Sequence, residues 1–120
     1  MQSESSGSVQ IFYPKLNREE VIRKIRKGLD DLKREIPISL VVLFGSYARG
    51  NYTVASDVDL LVVYTGEKRE EAYTTIMRIL DIPRLEAHVY LEEEYREVKE
   101  VIERMTRDGV VLFQRSAAGR

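Results

Sequence analysis

Two aspartates, Asp57 and Asp59, open an apolar stretch that reads DVDLLVVY. Residues i and i+2 of an extended strand point to the same face, so we expect the two carboxylates to lie side by side. A charge buried in such a strand is costly unless something compensates it. Two hard oxygen ligands on one rigid element suit Mg²⁺, which keeps several waters and takes its remaining ligands from substrate phosphates. The pattern therefore makes Asp57 and Asp59 candidate metal ligands.

A Gly-Ser turn precedes this pair by ten residues. Gly45 directly follows the apolar run ISLVVLF and allows a tight turn with close approach of a ligand to the backbone. The Ser46 hydroxyl and the amides after it can donate to phosphate oxygens, more so if a helical turn begins there. Arg49 offers a planar guanidinium to a phosphate, or a salt bridge to a nearby carboxylate. We expect Gly45, Ser46 and Arg49 to bind the phosphates of a nucleotide.

One competing phosphate motif can be excluded. Gly45 and Gly50 match the first half of a P-loop, but Asn51 and Tyr52 stand where that motif needs Lys and Ser or Thr. An Asp-x-Asp pair alone, or a Gly-Ser turn alone, is common in proteins and indicates little. Their conjunction at a ten-residue spacing, next to two apolar strands, is far more specific.

The segment GSYARGNYTVASDVDLLVV resembles the signature of the minimal nucleotidyltransferases (MNT), a branch of the DNA polymerase beta-like nucleotidyltransferase superfamily. The family pattern is GS, ten residues, then DxD. The residues that match it are Gly45, Ser46, Asp57 and Asp59, with the companions Ala48, Arg49, Gly50 and Ser56. The resemblance implies a two-metal Mg²⁺ site at the aspartates, nucleotide phosphates on the Gly-Ser turn, and the polymerase beta-like fold.

The resemblance also implies an activity and a partner. Members of the superfamily move a nucleoside monophosphate to an acceptor hydroxyl and release pyrophosphate, and AMP from ATP is the transfer expected here. MNT proteins are commonly encoded beside an all-helical HEPN-domain protein, form a complex with it, and in some cases add AMP to one of its tyrosines. The expectation is therefore a protein adenylyltransferase-like antitoxin of a HEPN/MNT toxin-antitoxin pair.

A third carboxylate usually completes the site in this family, and the candidate here is Glu86 in the stretch RLEAHVYL. Alternation along a strand places Glu86, His88 and Tyr90 on one face. A third acid would act as the base for the attacking hydroxyl or complete a second metal site. A solvent-facing glutamate is the alternative, and His88 is expected to be a packing or surface residue rather than a ligand contact.

Two further alternatives stay open. Tyr47 and Tyr52 are expected to cover the edge of the core, and stacking on a nucleobase is the other role they could have. For the chain as a whole, the alternative is a non-catalytic module that binds a nucleotide or neutralises a HEPN-type protein. The intact Gly-Ser turn and aspartate pair favour the enzyme, whereas the module stays open as long as the third acid is not identified.

Apolar periodicity predicts the elements that position these residues. Asn17 is expected to cap an amphipathic helix, with Glu20 three residues later, and Pro37 to stop it. Strands are expected over 38–44, 57–64, 84–91 and 110–113, a helical turn over 47–49, and helices over 67–80 and 92–107. This order predicts an α/β (α+β) fold in which a small mixed sheet of about four strands is flanked by helices.

Composition limits the other possibilities. A chain of 120 residues predicts one domain, expected over 9–114 with disordered ends at 1–8 and 115–120, and leaves the acceptor to be brought by a partner. The absence of Cys excludes thiol chemistry, and the presence of a single His excludes sites that need two. A net charge of -1 predicts no strong nucleic-acid footprint.

Hydropathy and the chain start give the last expectations. There is no apolar run of the length that a membrane span requires, which is about 18 residues, and the first ten residues are polar. The sequence therefore predicts a cytoplasmic protein that does not contact membranes. It does not fix the oligomeric state, and a homo-oligomer remains open.

Overall fold

The structure is a computed structural model that describes residues 16–115. In chain order, its elements are α1 (Arg18–Glu35), β1 (Ile38–Phe44), α2 (Ser46–Arg49), β2 (Val58–Tyr64), α3 (Ala72–Leu80), β3 (Leu85–Leu91), α4 (Glu92–Glu97), α5 (Lys99–Met105) and β4 (Val110–Gln114). Apart from Arg115, the ends expected to be disordered lie outside the described residues, as do the first residues of the expected domain.

The four strands form one mixed sheet in the order β3-β2-β1-β4. Strand β1 is antiparallel to both β2 and β4, whereas β2 and β3 are parallel. The carboxyl end of β1 therefore meets the amino ends of β2 and β3 at one edge of the sheet. Phe44 lies opposite Asp59, which in turn lies opposite Glu86. The expected mixed sheet is confirmed, and its topology brings the predicted site residues to that edge.

The first helix begins and ends as expected. The Asn17 side chain accepts a hydrogen bond from the Glu20 amide, and the Glu20 carboxylate accepts one from the Asn17 amide, each at 2.8 Å. This capping box satisfies two donors at the start of the helix. Ile36 is extended because it precedes Pro37, which disfavours helical backbone in the residue before it. The buried stripe of α1 consists of Val21, Ile25, Leu29 and Leu32.

The two faces of the sheet are covered unequally. The larger core packs α1 and α3 against one face and takes in Val58, Leu60 and Val62 of β2. The other face holds a smaller cluster that consists of Val42, Phe44, Leu61, Val63 and Ile102. Since side chains alternate along a strand, Asp59 lies on the face of the smaller cluster, which is the less covered side of the sheet.

The helix expected over 67–80 is shorter in the structure and begins at Ala72. Residues 67–71 form an irregular segment, in which backbone and side-chain groups donate hydrogen bonds to residues outside the segment. The Arg69 amide donates to the Tyr64 hydroxyl at 2.9 Å, and the Lys68 ammonium donates to the Glu94 carboxylate at 2.7 Å. Because both contacts form only in the folded chain, helical periodicity alone could not reveal this shorter start.

The helix expected over 92–107 is divided at Val98, whose φ and ψ are -118° and 19°. Its amide donates to the Tyr95 carbonyl three residues back, at 3.1 Å, and a β-branched residue weakens a helix at such a point. Tyr95 and Ile102 pack on the smaller cluster, while Met105 stays 48% exposed. Within residues 16–115, no helix is both long and apolar enough to cross a bilayer.

Candidate active site

The turn after β1 is packed directly against a carboxylate. Gly45 has a φ of 77°, in the region that favours glycine, and a Cβ built on it would lie 2.3 Å from Oδ2 of Asp59. No side chain fits between these two groups. The glycine therefore serves both the turn and the close approach to Asp59, and the second of these could not be read from the sequence.

A short helix carries the residues after this glycine. Helix α2 begins at Ser46, one residue before the expected turn. It ends at Arg49 and is capped by Gly50, which has a φ of 86°. The amides of its first residues have no intrahelical acceptors, as in any helix start, and are available to an anion. Arg49, the last residue of this single-turn helix, is exposed and lies at the margin of the candidate site.

Two stacked tyrosines anchor α2 to the first helix. The rings of Tyr47 and Tyr52 are nearly parallel, with centroids 4.1 Å apart. The Tyr47 hydroxyl donates to the Leu16 carbonyl, and the Tyr52 hydroxyl accepts from the Arg18 amide, each at 3.0 Å. Burial raises the pKa of Tyr47, and nearby Tyr52 raises it further. The expectation that these tyrosines cover the edge of the core is confirmed.

The two aspartates differ in their surroundings. Asp57 immediately precedes β2 and is exposed, whereas the side chain of Asp59, two residues later, is 29% exposed. Burial raises the pKa of Asp59 above its ordinary value, His88 opposes the rise, and the charges of Asp57 and Glu86 add to it. Carboxylates whose negative charges repel one another in this way suit a divalent cation, because the cation would neutralise those charges.

Glu86 takes the place that the strand alternation predicts. It lies opposite Asp59 in the parallel register and is exposed, while Leu85 and Ala87 pack toward the larger core. Within residues 16–115, no three acidic or imidazole side chains form a ready-made metal-binding group. Two carboxylates with waters and phosphates are a sufficient set for Mg²⁺, so the residues present fit that ion without Glu86.

His88 packs beside the aspartate pair. Its ring lies against Phe44, with centroids 5.2 Å apart, and its Nε2 is 3.6 Å from Oδ1 of Asp59. That nitrogen is buried and has no hydrogen-bond partner among the described residues. The expected packing role is therefore observed, together with a proximity to Asp59 that the alternation pattern does not convey.

Sequence reasoning missed Arg84, whose guanidinium lies 3.1 Å from Oδ1 of Asp57. The signal that could have found it is the need for a positive charge to compensate the aspartates. Arg84 is the basic residue that immediately precedes the strand of Glu86, and the parallel pairing brings that end of the strand to Asp57.

The chain is similar in sequence to known proteins. The chain matches the family model of the nucleotidyltransferase domain over residues 22–112. It is 44% identical over 48 residues to a protein of Methanocaldococcus jannaschii named "Putative protein adenylyltransferase". That alignment covers 40% of this chain and 47% of the relative, so the match spans about half of the relative's length.

Two solved structures are similar in fold. A toxin-antitoxin complex with AMP-PNP contains a chain that is 20% identical, with a TM-score of 0.53, over 78% of this chain and 76% of that one. A complex of a tri-AMPylated Shewanella oneidensis HEPN toxin with an MNT antitoxin gives 19% identity and a TM-score of 0.52, over 82% and 73%. The resemblance of the segment with the GS and DxD motifs to the minimal nucleotidyltransferases agrees with the match to the nucleotidyltransferase domain model. That match covers most of the described residues. The chain belongs to the nucleotidyltransferase domain family.

Proposed function

We propose that this chain is an Mg²⁺-dependent nucleotidyltransferase that moves AMP from ATP to a hydroxyl group of a partner protein. The observation that supports this most strongly is the contact between Gly45 and the Asp59 carboxylate, because it brings the turn proposed to bind phosphate against the aspartates proposed to bind the metal. The chemistry needs both groups at one place, since catalysis of such transfers depends on positioning and on neutralising phosphate charge.

Asp57 and Asp59 would hold the metal, and Gly45, Ser46 and Arg49 would bind the triphosphate. Bound Mg²⁺ supplies charge neutralisation at the phosphates, and a second ion would share the same carboxylates. The Ser46 hydroxyl and the first amides of α2 donate to phosphate oxygens, while the exposed Arg49 adds a positive charge at the margin.

Glu86 is proposed to take the proton of the acceptor. Its position opposite Asp59, on the exposed side of the sheet, is accessible to a hydroxyl brought from outside. The acceptor oxygen bonds to the α-phosphorus as the bond from that phosphorus to pyrophosphate breaks, and the proton passes to Glu86. Alternatively, the same carboxylate completes the metal site.

The proposed acceptor is a tyrosine of a HEPN-domain protein, and the chain would act in the cytoplasm as the antitoxin of that pair. The name of the curated relative and the HEPN-MNT complex among the structural neighbours support this choice. An external acceptor is also consistent with the exposed position of Glu86.

A non-catalytic module is the second candidate. Its support is that Glu86, the candidate third carboxylate, is exposed and forms no ready-made metal-binding group with the two aspartates within residues 16–115. Such a module would bind the nucleotide or the HEPN-type protein tightly, transfer nothing, and keep its binding when the aspartates are replaced.

Incubation with ATP labelled at the α-phosphate, Mg²⁺ and the protein encoded by the neighbouring gene, the proposed HEPN-type partner, separates the two candidates. The enzyme is expected to label the partner, and Asp57→Asn or Asp59→Asn to abolish labelling. Asp30→Asn is the matched control, because Asp30 lies on α1 with a side chain that is 82% exposed. Tight binding without labelling would support the module.

A further inference from the structure

Arg84 holds an unusual backbone conformation next to the site. Its φ is 61°, and Asp81 is the other described non-glycine residue with a positive φ. This left-handed conformation costs a non-glycine residue roughly 1–2 kcal/mol. A residue persists there when its surroundings hold it, and such residues concentrate at functional sites.

The surroundings of Arg84 are the residues on either side of Asp57. Its Nε donates to the Ser56 carbonyl at 3.1 Å, and its Nη2 donates to the Ala55 carbonyl at 2.7 Å and lies 3.1 Å from Oδ1 of Asp57. Its own carbonyl accepts the Val58 amide at 2.9 Å. A single residue thus contacts four consecutive residues where the chain enters β2.

We propose that Arg84 is a positioning residue, which fixes the Asp57 carboxylate and the start of β2 in their metal-binding arrangement before the metal binds. The guanidinium is suited to this because its planar, rigid set of donors can reach two carbonyls and a carboxylate at once. An ammonium group carries the same charge but cannot match that geometry. The role assigned to the metal rests on the proposed function, whereas the contacts of Arg84 do not.

The variant Arg84→Lys tests geometry at constant charge. Calorimetric titration of the nucleotide-free protein with Mg²⁺ alone is expected to show about three- to tenfold weaker metal binding than in the wild type. Arg78→Lys is the matched control, because Arg78 makes one ion pair with Glu35 on the helical side of the sheet and is 64% exposed. An unchanged Mg²⁺ affinity in Arg84→Lys would overturn the proposal.

A second variant separates positioning from general stability. Glycine adopts a positive φ freely, so Arg84→Gly is expected to keep the thermal midpoint of the metal-free protein within a few degrees while weakening Mg²⁺ binding by a similar factor. If the midpoint and the affinity fall together, the role of Arg84 is merely structural and the proposal is wrong.

Hydrogen exchange in the metal-free protein tests the role of Arg84 independently of metal binding. In metal-free Arg84→Lys, the Val58 amide is expected to exchange several-fold faster than in the wild type, while the amide of Val62 in the sheet centre is unchanged. Wild-type protein that binds no Mg²⁺ would contradict the proposed function. Unaltered exchange at Val58 would contradict the role of Arg84, whatever the metal does.

Discussion

Gly45 and the carboxylate of Asp59 are in direct contact at the edge where β1 ends and β2 begins, with no space between them for even a methyl group. The register explains the contact, because Phe44 lies opposite Asp59 and Gly45, the next residue, begins the turn beside the Asp59 side chain. The Gly-Ser turn and the aspartate pair are therefore parts of one rigid unit, and a change to either should disturb the other.

Replacement of Gly45 tests this unit. Gly45→Ala combines a strained positive φ with a clash against Asp59, and we expect it to lower the free energy of unfolding by about 1–3 kcal/mol and to abolish transfer. Urea denaturation and the labelling assay measure the two effects. Gly66→Ala is the control, since Gly66 has a φ of 91° but the nearest atom to its Cβ is 4.0 Å away. A transfer rate in Gly45→Ala that equals the rate in Gly66→Ala would contradict the contact.

The raised pKa of Asp59 predicts a pH dependence of stability. In the metal-free protein the folded state binds the Asp59 proton more tightly than the unfolded state, whose pKa lies near the ordinary 3.8. The resulting stabilisation is present at low pH and is lost as the pH rises through the raised folded-state value. Asp59→Asn should therefore unfold at a higher temperature than the wild type at neutral pH in EDTA, with a difference that shrinks toward pH 3.8. A difference that does not depend on pH would be contrary to this account.

The hydroxyl of Tyr52 should matter to stability rather than to nucleotide binding. Tyr52→Phe keeps the stacked ring but removes the acceptor of the Arg18 amide, which costs about 0.5–1.5 kcal/mol. Chemical denaturation measures that cost, and calorimetry with an ATP analogue should show unchanged affinity. Tyr73→Phe serves as the control for stability, because Tyr73 is 48% exposed. Weaker ATP binding in Tyr52→Phe would contradict this assignment, because it would show that the hydroxyl contacts the nucleotide.

Glu86→Gln decides whether this residue is the third carboxylate. Loss of a general base lowers a transfer rate by about 10²–10⁴-fold, and we expect a decrease in that range with the fold intact. The rate is measured at saturating ATP and Mg²⁺. Glu93→Gln provides the comparison, since Glu93 is an exposed glutamate in the first turn of α4. Equal rates in the two variants would show that Glu86 takes no part in the transfer.

Local patterns were sufficient to predict most of the framework. The capping box at Asn17 and Glu20, the stop at Pro37 and the alternation around Glu86 all involve neighbours in sequence, and each is found as expected. The Gly-Ser turn and the aspartate pair were likewise visible, because their spacing reflects a single strand-turn-strand unit. Their roles in binding metal and phosphate stay predictions.

The features that sequence patterns missed depend on contacts that only the folded chain makes. The Arg69 amide, in the segment before α3, donates to the Tyr64 hydroxyl, and the Arg84 contacts arise only when β3 aligns beside β2. Tyr95 and Ile102, on either side of the division at Val98, pack on the sheet. None of these is encoded in a period of two or of 3.6 residues, so they required the tertiary structure.

The most direct test is the intact mass of the HEPN-type partner after incubation with this protein, ATP and Mg²⁺, with pyrophosphate measured in the same sample. The account predicts a partner heavier by one or more AMP groups, one pyrophosphate released for each, and neither product with Asp59→Asn or in EDTA. A partner of unchanged mass that nonetheless binds the wild-type chain tightly would contradict it.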